Sequence, residues 1–237
     1  MDIKFSIGET MKKESDVCVL VQSRLSSTRV PKKMILPFAE TTLVDILLEK
    51  LTECSIPNNN IYFSAYENEL KNKCEKYPIN FFQRSKESSE SEGQDLTVLF
   101  EWWNKIPFKY IVMVSACCPL LKKETIERFY QDYLVSESDA MFGVIEKRNY
   151  FWDEDGNYLL ESKKEALNTK TAKKVKEAAH CLYAAPMEKI GKNIWMGDLQ
   201  KKGEVELWTL NEDEVFDIDY PWQFDYCEAI YKNRRNK

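Results

Sequence analysis

The stretch Lys109–Ala116, KYIVMVSA, constrains the fold most strongly. Its apolar residues run almost without interruption instead of alternating with polar ones. As a strand it has no face to give to water and needs a covering layer on each side. DVCVLVQ (16–22) is a second run of this kind, and helical spacing follows it in TTLVDILLEKLTEC, where Leu43, Ile46, Leu47, Leu48 and Leu51 recur on one side and Thr41 or Thr42 caps the start. The alternation continues: NIYFSAY (60–66) as strand, ENELKNKCEKY as helix, NFFQ (80–83) as short strand, LTVLFEWWNKI (96–106) as helix, KKETIERFYQDYLVS as amphipathic helix and DAMFGVIE (139–146) as strand. Strands alternating with helices predict an α/β fold, with a mostly parallel central sheet and helices on both faces. Ligands of such sheets lie beyond the carboxyl ends of the strands.

The pattern changes over 147–180, a polar, Lys-rich excursion with a turn at Asp155-Gly156. It reads as a hairpin or oligomer arm, with the Lys-rich part at 163–176 as a solvated face. HCLYAAP (180–186) returns as strand, VELWTL and EVFDID follow as strand candidates, and WQFDYCEAIYKNRR closes the chain as a helix. The polar stretch RSKESSESEGQD reads as a loop or lid, and residues 1–15 as a polar arm. The 237 residues suit one domain over 16–237.

A net charge of -5 argues against a general nucleic-acid binder. No segment approaches the ~18 consecutive apolar residues of a membrane helix, and the first residues have no signal-peptide core. A cytoplasmic protein is expected, without membrane or nucleic-acid partners. The seven cysteines are irregularly spaced with no CxxC pair, which predicts reduced thiols that mostly fill space. A single histidine, His180, excludes any chemistry that needs a His pair.

Against that acidic background the loop after the first strand stands out. SRLSSTRVPKK gathers Arg24, Arg29, Lys32 and Lys33 with the hydroxyls of Ser26, Ser27 and Thr28. Fixed cations, hydroxyls and backbone N–H groups are what a phosphate needs. On chemistry alone a solvated basic loop fits equally well. The chain has neither GxxxxGK[ST] nor GxGxxG, which excludes the P-loop and dinucleotide fingerprints. The second constellation is Asp217 and Asp219 in VFDIDYPWQF. On a strand, that spacing turns both carboxylates to one side, where a cation between them relieves their repulsion. Taken alone, acids facing water at a strand end are the simpler reading.

VQSRLSSTRVPKKMILPF resembles the signature of the bacterial sugar-acid cytidylyltransferases, roughly A-R-x-x-S-x-R-x-P-x-K after the first strand. This family includes CMP-sialic acid and other nonulosonic acid synthetases, CMP-Kdo synthetases and spore-coat polysaccharide cytidylyltransferases. Arg24, Ser27, Arg29, Pro31 and Lys33 fall on its positions. Asp217, Ile218, Asp219 and Pro221 match its D-I-D-T-P-x-D segment, while Tyr220 and Gln223 depart from it. Lys32 stands where the family has Gly.

The resemblance implies a Rossmann-like sheet of nucleotidyltransferase (GT-A-like) type, with 147–180 as a dimerisation insertion of a homodimer. It implies transfer of CMP from CTP to an acidic sugar, with pyrophosphate leaving, for surface polysaccharide or capsule. It assigns catalysis to Arg24, Lys33, Asp217 and Asp219, nucleotide binding to Arg24, Leu25, Ser27, Arg29, Lys33 and Arg84, and Mg²⁺ to Asp217 and Asp219. Ser115, Cys117, His180 and Tyr183 fall at substrate-side positions. Ser115 and Cys117 replace the family's usual side chains there, which leaves open a different acceptor or a non-catalytic nucleotide-binding subunit.

Overall fold

The computed structural model describes residues 12–160 and 168–235. Most of the N-terminal arm and part of the Lys-rich segment therefore lie outside the described residues. The elements run β1 (Val17–Gln22), α1 (Leu43–Thr52), β2 (Ile61–Ala65), α2 (Asn68–Cys74), β3 (Asn80–Gln83), α3 (Lys86–Glu90), α4 (Leu96–Leu99), β4 (Tyr110–Val114), α5 (Lys123–Val135), β5 (Ala140–Arg148), β6 (Lys174–Pro186), β7 (Val205–Leu210) and α6 (Pro221–Arg235). The strands form one sheet in the order β3-β2-β1-β4-β6-β5-β7. β6 runs antiparallel to β4 and β5, and the remaining pairs are parallel.

The two apolar runs become β1 and β4, side by side at the centre, with Val19 opposite Val112. Alternate residues serve opposite layers. Val17, Val19 and Val21 pack with Leu43, Leu47, Phe129 and Phe224 from α1, α5 and α6. Cys18 and Leu20 pack with Trp102, Ile106, Met187 and Ile190 on the other face. Each aliphatic or aromatic side chain so buried contributes about 1.5–3 kcal/mol. α1 begins where Thr42 Oγ1 accepts from the Asp45 N–H at 3.3 Å, so Thr42 is the cap and Thr41 is not.

Several segments differ from the sequence reading. The helix expected over 96–106 stops at Leu99, and turns carry Phe100 and Trp102 into the core. Those two rings fill the layer that a regular helix would have shared with its own polar residues. Within the lid-like stretch, Ser85 caps the short α3 by accepting from Ser88 N–H at 3.0 Å. The excursion is shorter than 147–180, because β5 continues to Arg148 and β6 already begins at Lys174. Residues 174–180 are thus part of the sheet, and the Trp152–Tyr158 bridge closes a hairpin beyond it, with Gly156 at φ +82°.

Between Phe142 and Val144 the β5–β6 register shifts, and the bulge holds His180 at φ +51°. Gly143 permits this crossing: a Cβ there would lie 2.9 Å from a Leu210 methyl and 3.0 Å from the Leu182 carbonyl oxygen. EVFDID is not a strand. After a 3-10 turn at Glu212–Glu214 it passes across the end of β4, where Ile218 N–H donates to the Cys117 carbonyl at 3.0 Å.

Candidate active site

The loop leaving β1 makes no helix until Leu43, so its cations are held by side-chain contacts and not by a helix terminus. Lys33 Nζ donates to the Ile218 carbonyl at 2.5 Å and lies 3.6 Å from Asp219 Oδ1. Arg29 Nη2 donates to the same carboxylate oxygen at 2.6 Å, and its guanidinium lies over the Tyr220 ring at 5.4 Å. The basic loop and the Asp pair thus meet, although 190 residues separate Arg29 from Asp219.

Asp217 sits deeper. Its Oδ1 is buried and has no hydrogen-bond partner among the described residues. Burial, followed by the neighbouring Asp219 charge, pushes its carboxyl above the usual range, against the pull of Lys33, His180 and Arg29.

A cavity of about 240 Å³ opens at this junction, lined by Arg24, Ser27, Arg29, Lys33, Ser115 and Cys117 among others. A second, of about 300 Å³, shares Arg24 and adds Arg84, Ser91 and Glu92. Arg24 crosses between them, donating to the carbonyls of Ser89 and Ser91 at 3.3 and 3.4 Å. The Ser/Glu-rich segment is therefore tied to the basic loop.

Arg84 is nearly fully buried. Its three guanidinium nitrogens donate to Ser88 Oγ, the Ser88 carbonyl and the Ser23 carbonyl. Burial and the neighbouring Arg24 charge push it down to about 10. It holds the end of β1 in place, with each nitrogen already engaged by protein.

The remaining residues divide by position. Leu25 offers its backbone: its N–H donates to Glu67 Oε1 at 2.7 Å and its carbonyl accepts from Lys32 N–H at 3.3 Å. Ser27 Oγ accepts from Val30 N–H at 3.4 Å and shapes the turn. Ser115 Oγ accepts from Cys117 N–H at 3.2 Å, and the Cys117 thiol is held protonated chiefly by burial. His180 and Tyr183 stand apart from the basic loop, paired at 3.1 Å through His180 Nδ1 and the Tyr183 hydroxyl. Burial raises the Tyr183 hydroxyl, and the His180 ring is close enough to act on Asp217 electrostatically.

Two departures from the family signature acquire a structural meaning. Lys32 has φ +56°, the left-handed conformation that glycine adopts without strain, so the loop keeps the turn despite the side chain. Gln223 Oε1 accepts from the N–H groups of Asp219 and Tyr220 at 2.7 and 2.8 Å. It is the back-reaching member of a capping box at the start of α6, a role that needs an acceptor but no charge.

Sequence reasoning missed two charges behind the site, Lys50 half-buried and Glu214 fully buried. Lys50 Nζ, on α1, donates to the carbonyls of Pro119 and Leu121, each at 2.6 Å. Glu214 accepts from Lys122 N–H, the Thr125 hydroxyl and Asn211 Nδ2. Both grip the 117–122 turn whose Cys117 carbonyl anchors the Asp217–Asp219 segment. Lys50 looks like any helix lysine, and its only signal is its place inside ILLEKL.

Solved structures share the architecture. A CMP:2-keto-3-deoxy-manno-octonic acid synthetase complexed with CTP superposes with a TM-score of 0.68 at 10% identity, over 93% of this chain and 100% of that one. A 4-diphosphocytidyl-2C-methyl-D-erythritol synthase from Anaerococcus prevotii gives 0.65 at 11% identity, over 95% and 100%. In sequence, the pseudaminic acid cytidylyltransferase of Campylobacter jejuni subsp. jejuni serotype O:2 is 21% identical over 231 residues, 92% of this chain and 96% of that protein. A 3-deoxy-manno-octulosonate cytidylyltransferase of Rickettsia bellii is 26% identical over 137 residues, 56% and 54% of the two chains. The sequence pattern of the family described as Cytidylyltransferase matches residues 18–193, which includes the basic loop and most of the sheet, and the chain belongs to that family of nucleotidyltransferases.

Proposed function

We propose that this chain transfers CMP from CTP to an acidic sugar. The convergence of Arg29 and Lys33 with Asp217 and Asp219 at the carboxyl edge of the parallel strands, beside a cavity that Arg24 also lines, carries the reading. The acceptor hydroxyl oxygen attacks the α-phosphorus, the bond to the bridging oxygen breaks, pyrophosphate leaves, and the hydroxyl proton passes to water. Such transfers ask mainly for positioning and charge neutralisation. Arg24 and Lys33 offset the phosphate charge. Arg29 is half-exposed and held by Asp219, so it is placed to exchange that partner for an incoming anion.

The residues fit a divalent cation. Mg²⁺ takes one or two carboxylates and fills its other positions with phosphate oxygens and water. The buried, unpartnered Oδ1 of Asp217 is such a ligand, with Asp219 as the second. Among the described residues no larger cluster of His, Cys, Asp or Glu gathers for a metal. Bound there, Mg²⁺ would act as a Lewis acid on the phosphate and on the acceptor oxygen.

Pyrophosphate release tests the reading, with Mg²⁺, each of CTP, UTP, ATP and GTP, and a panel of acidic sugars. Release specific to CTP is expected. Asp217→Asn should reduce it on the order of a thousandfold while CTP still raises the melting temperature. Failure of every nucleotide to shift that temperature overturns the reading.

A homodimer through the 147–180 excursion, which carries the Trp152–Tyr158 hairpin, belongs to the same proposal. Trp152 and Leu159 are 58% and 59% exposed there, more apolar surface than one short hairpin usually leaves to water. Sedimentation should show a dimer that Trp152→Glu converts to monomer. No helix among the described residues is long and apolar enough to cross a membrane.

A further inference from the structure

A third cavity, of about 530 Å³, lies on the far side of Asp217 from the basic loop. Ile145 and Lys147, two apart on β5, share one face of the sheet and form one wall. Tyr226, Ile230 and Arg234, spaced by four on α6, form the opposite wall. Phe216 closes the lip, with its ring 5.3 Å from Tyr226 and 6.4 Å from Trp222. The floor is apolar: Leu120 and Ala179 are buried. Asp217 reaches this space from one side and the basic loop from the other.

The charges around this cavity are unbalanced. Glu177, Glu212 and Asp213 face it beside Asp217, whose charge a bound metal would offset, against the strong cations Lys147 and Arg234 alone. Both cations already have partners. Lys147 pairs with Glu212 and lies 3.9 Å from Glu177, and Arg234 pairs with Asp213 at 3.1 Å. An anion entering here would meet surplus carboxylates and no free cation.

We infer that this cavity takes the end of the acceptor remote from the reacting hydroxyl, and that this end has an apolar surface and is neutral or amino-bearing, never anionic. The inference rests on the transferase reading and extends it to the acceptor's chemistry. The acid group of the acceptor then lies on the other side of Asp217, with Arg24, Arg29 and Lys33.

Saturation-transfer NMR with glucosamine and glucuronate as probes tests the cavity without any turnover. Glucosamine should give a signal several-fold above that of glucuronate. Tyr226→Ala, at a side chain 54% exposed and so safe for folding, should abolish it. A double variant, Glu177→Gln with Glu212→Gln, should erase the preference. An equal or larger glucuronate signal, or a glucosamine signal indifferent to Tyr226→Ala, overturns the inference.

Kinetics supply the second arm. Among acidic sugars that release pyrophosphate, one with a second carboxylate at its far end should be used about tenfold less efficiently than its neutral counterpart. Tyr226→Ala should raise the acceptor KM and leave the KM for CTP unchanged. Equal use of the two sugars, or a raised KM for CTP in its place, overturns it. If the glucosamine preference and its loss in Tyr226→Ala appear while no acidic sugar releases pyrophosphate, the transferase reading fails and the cavity's selectivity stands.

Discussion

Lys32 shows how a single residue can keep a local geometry that its side chain disfavours. A left-handed conformation costs an L-residue roughly 1–2 kcal/mol, and glycine recovers this less its own greater freedom in the unfolded chain. Lys32→Gly should therefore raise the stability by about 0.5–1 kcal/mol, read as a higher urea midpoint with unchanged slope. At this scale the sequence singled out Arg24, Arg29, Lys33 and the Asp pair through the family signature they match, and the structure brings Arg29 and Lys33 against Asp219. It did not reveal what Arg84 does. An arginine after a strand looks the same whether its guanidinium faces a ligand or, as here, three acceptors of its own chain. Gln223 likewise departs from the family signature in sequence, and its use lies in the two N–H groups that converge on its amide oxygen.

Among the elements, the turn between β4 and α5 is the hinge on which the site hangs. Glu214 is fully buried, yet its hydrogen bonds and Lys122 outweigh the desolvation that would raise it, and its carboxyl lies below the usual range. Glu214→Ala would leave Thr125, Asn211 and the Lys122 N–H short of an acceptor, a loss of about 2–4 kcal/mol measurable by urea titration. A lowered carboxyl stabilises the fold at pH values above its unfolded titration. That contribution disappears as acid passes the folded value, so the variant should lose less stability than the parent between pH 5 and the acid limit.

Strands β1, β4 and β7 were legible because their apolar runs are continuous or β-rich. β6 was only half legible. Its first residues, Lys174–Ala178, face solvent on an arm that gains its order from pairing with β5. EVFDID has strand-like residues, but its chain crosses the end of β4, where Ile218 N–H bonds to the Cys117 carbonyl of a turn and not to a sheet edge.

For the molecule as a whole, the buried thiols set an alkaline limit. Burial holds Cys18 well above its ordinary value and pushes Cys54 to about 12, Cys74 to about 11 and Cys227 to about 12. Above pH ~9 the unfolded chain releases these protons and the folded one retains them. Stability then falls, by about 1.4 kcal/mol per pH unit for each thiol fully titrating in the unfolded chain. Lys50 acts in the opposite direction. Pushed down to about 8 by burial, it favours the fold increasingly as the pH rises from there to its unfolded value, but it and Lys12 are outnumbered by the raised thiols. Urea midpoints should hold or rise slightly to pH 9 and drop steeply by pH 10.5, and a flat profile there would contradict the assigned burial.

The architecture also sets a time at which these side chains can meet. The cations of the first loop are made early in synthesis, and the carboxylates they meet are separated from them by nearly the whole chain. Arg29 and Lys33 can therefore find Asp219 only after almost all of the sheet between them has been made, which places this pairing among the late events of synthesis.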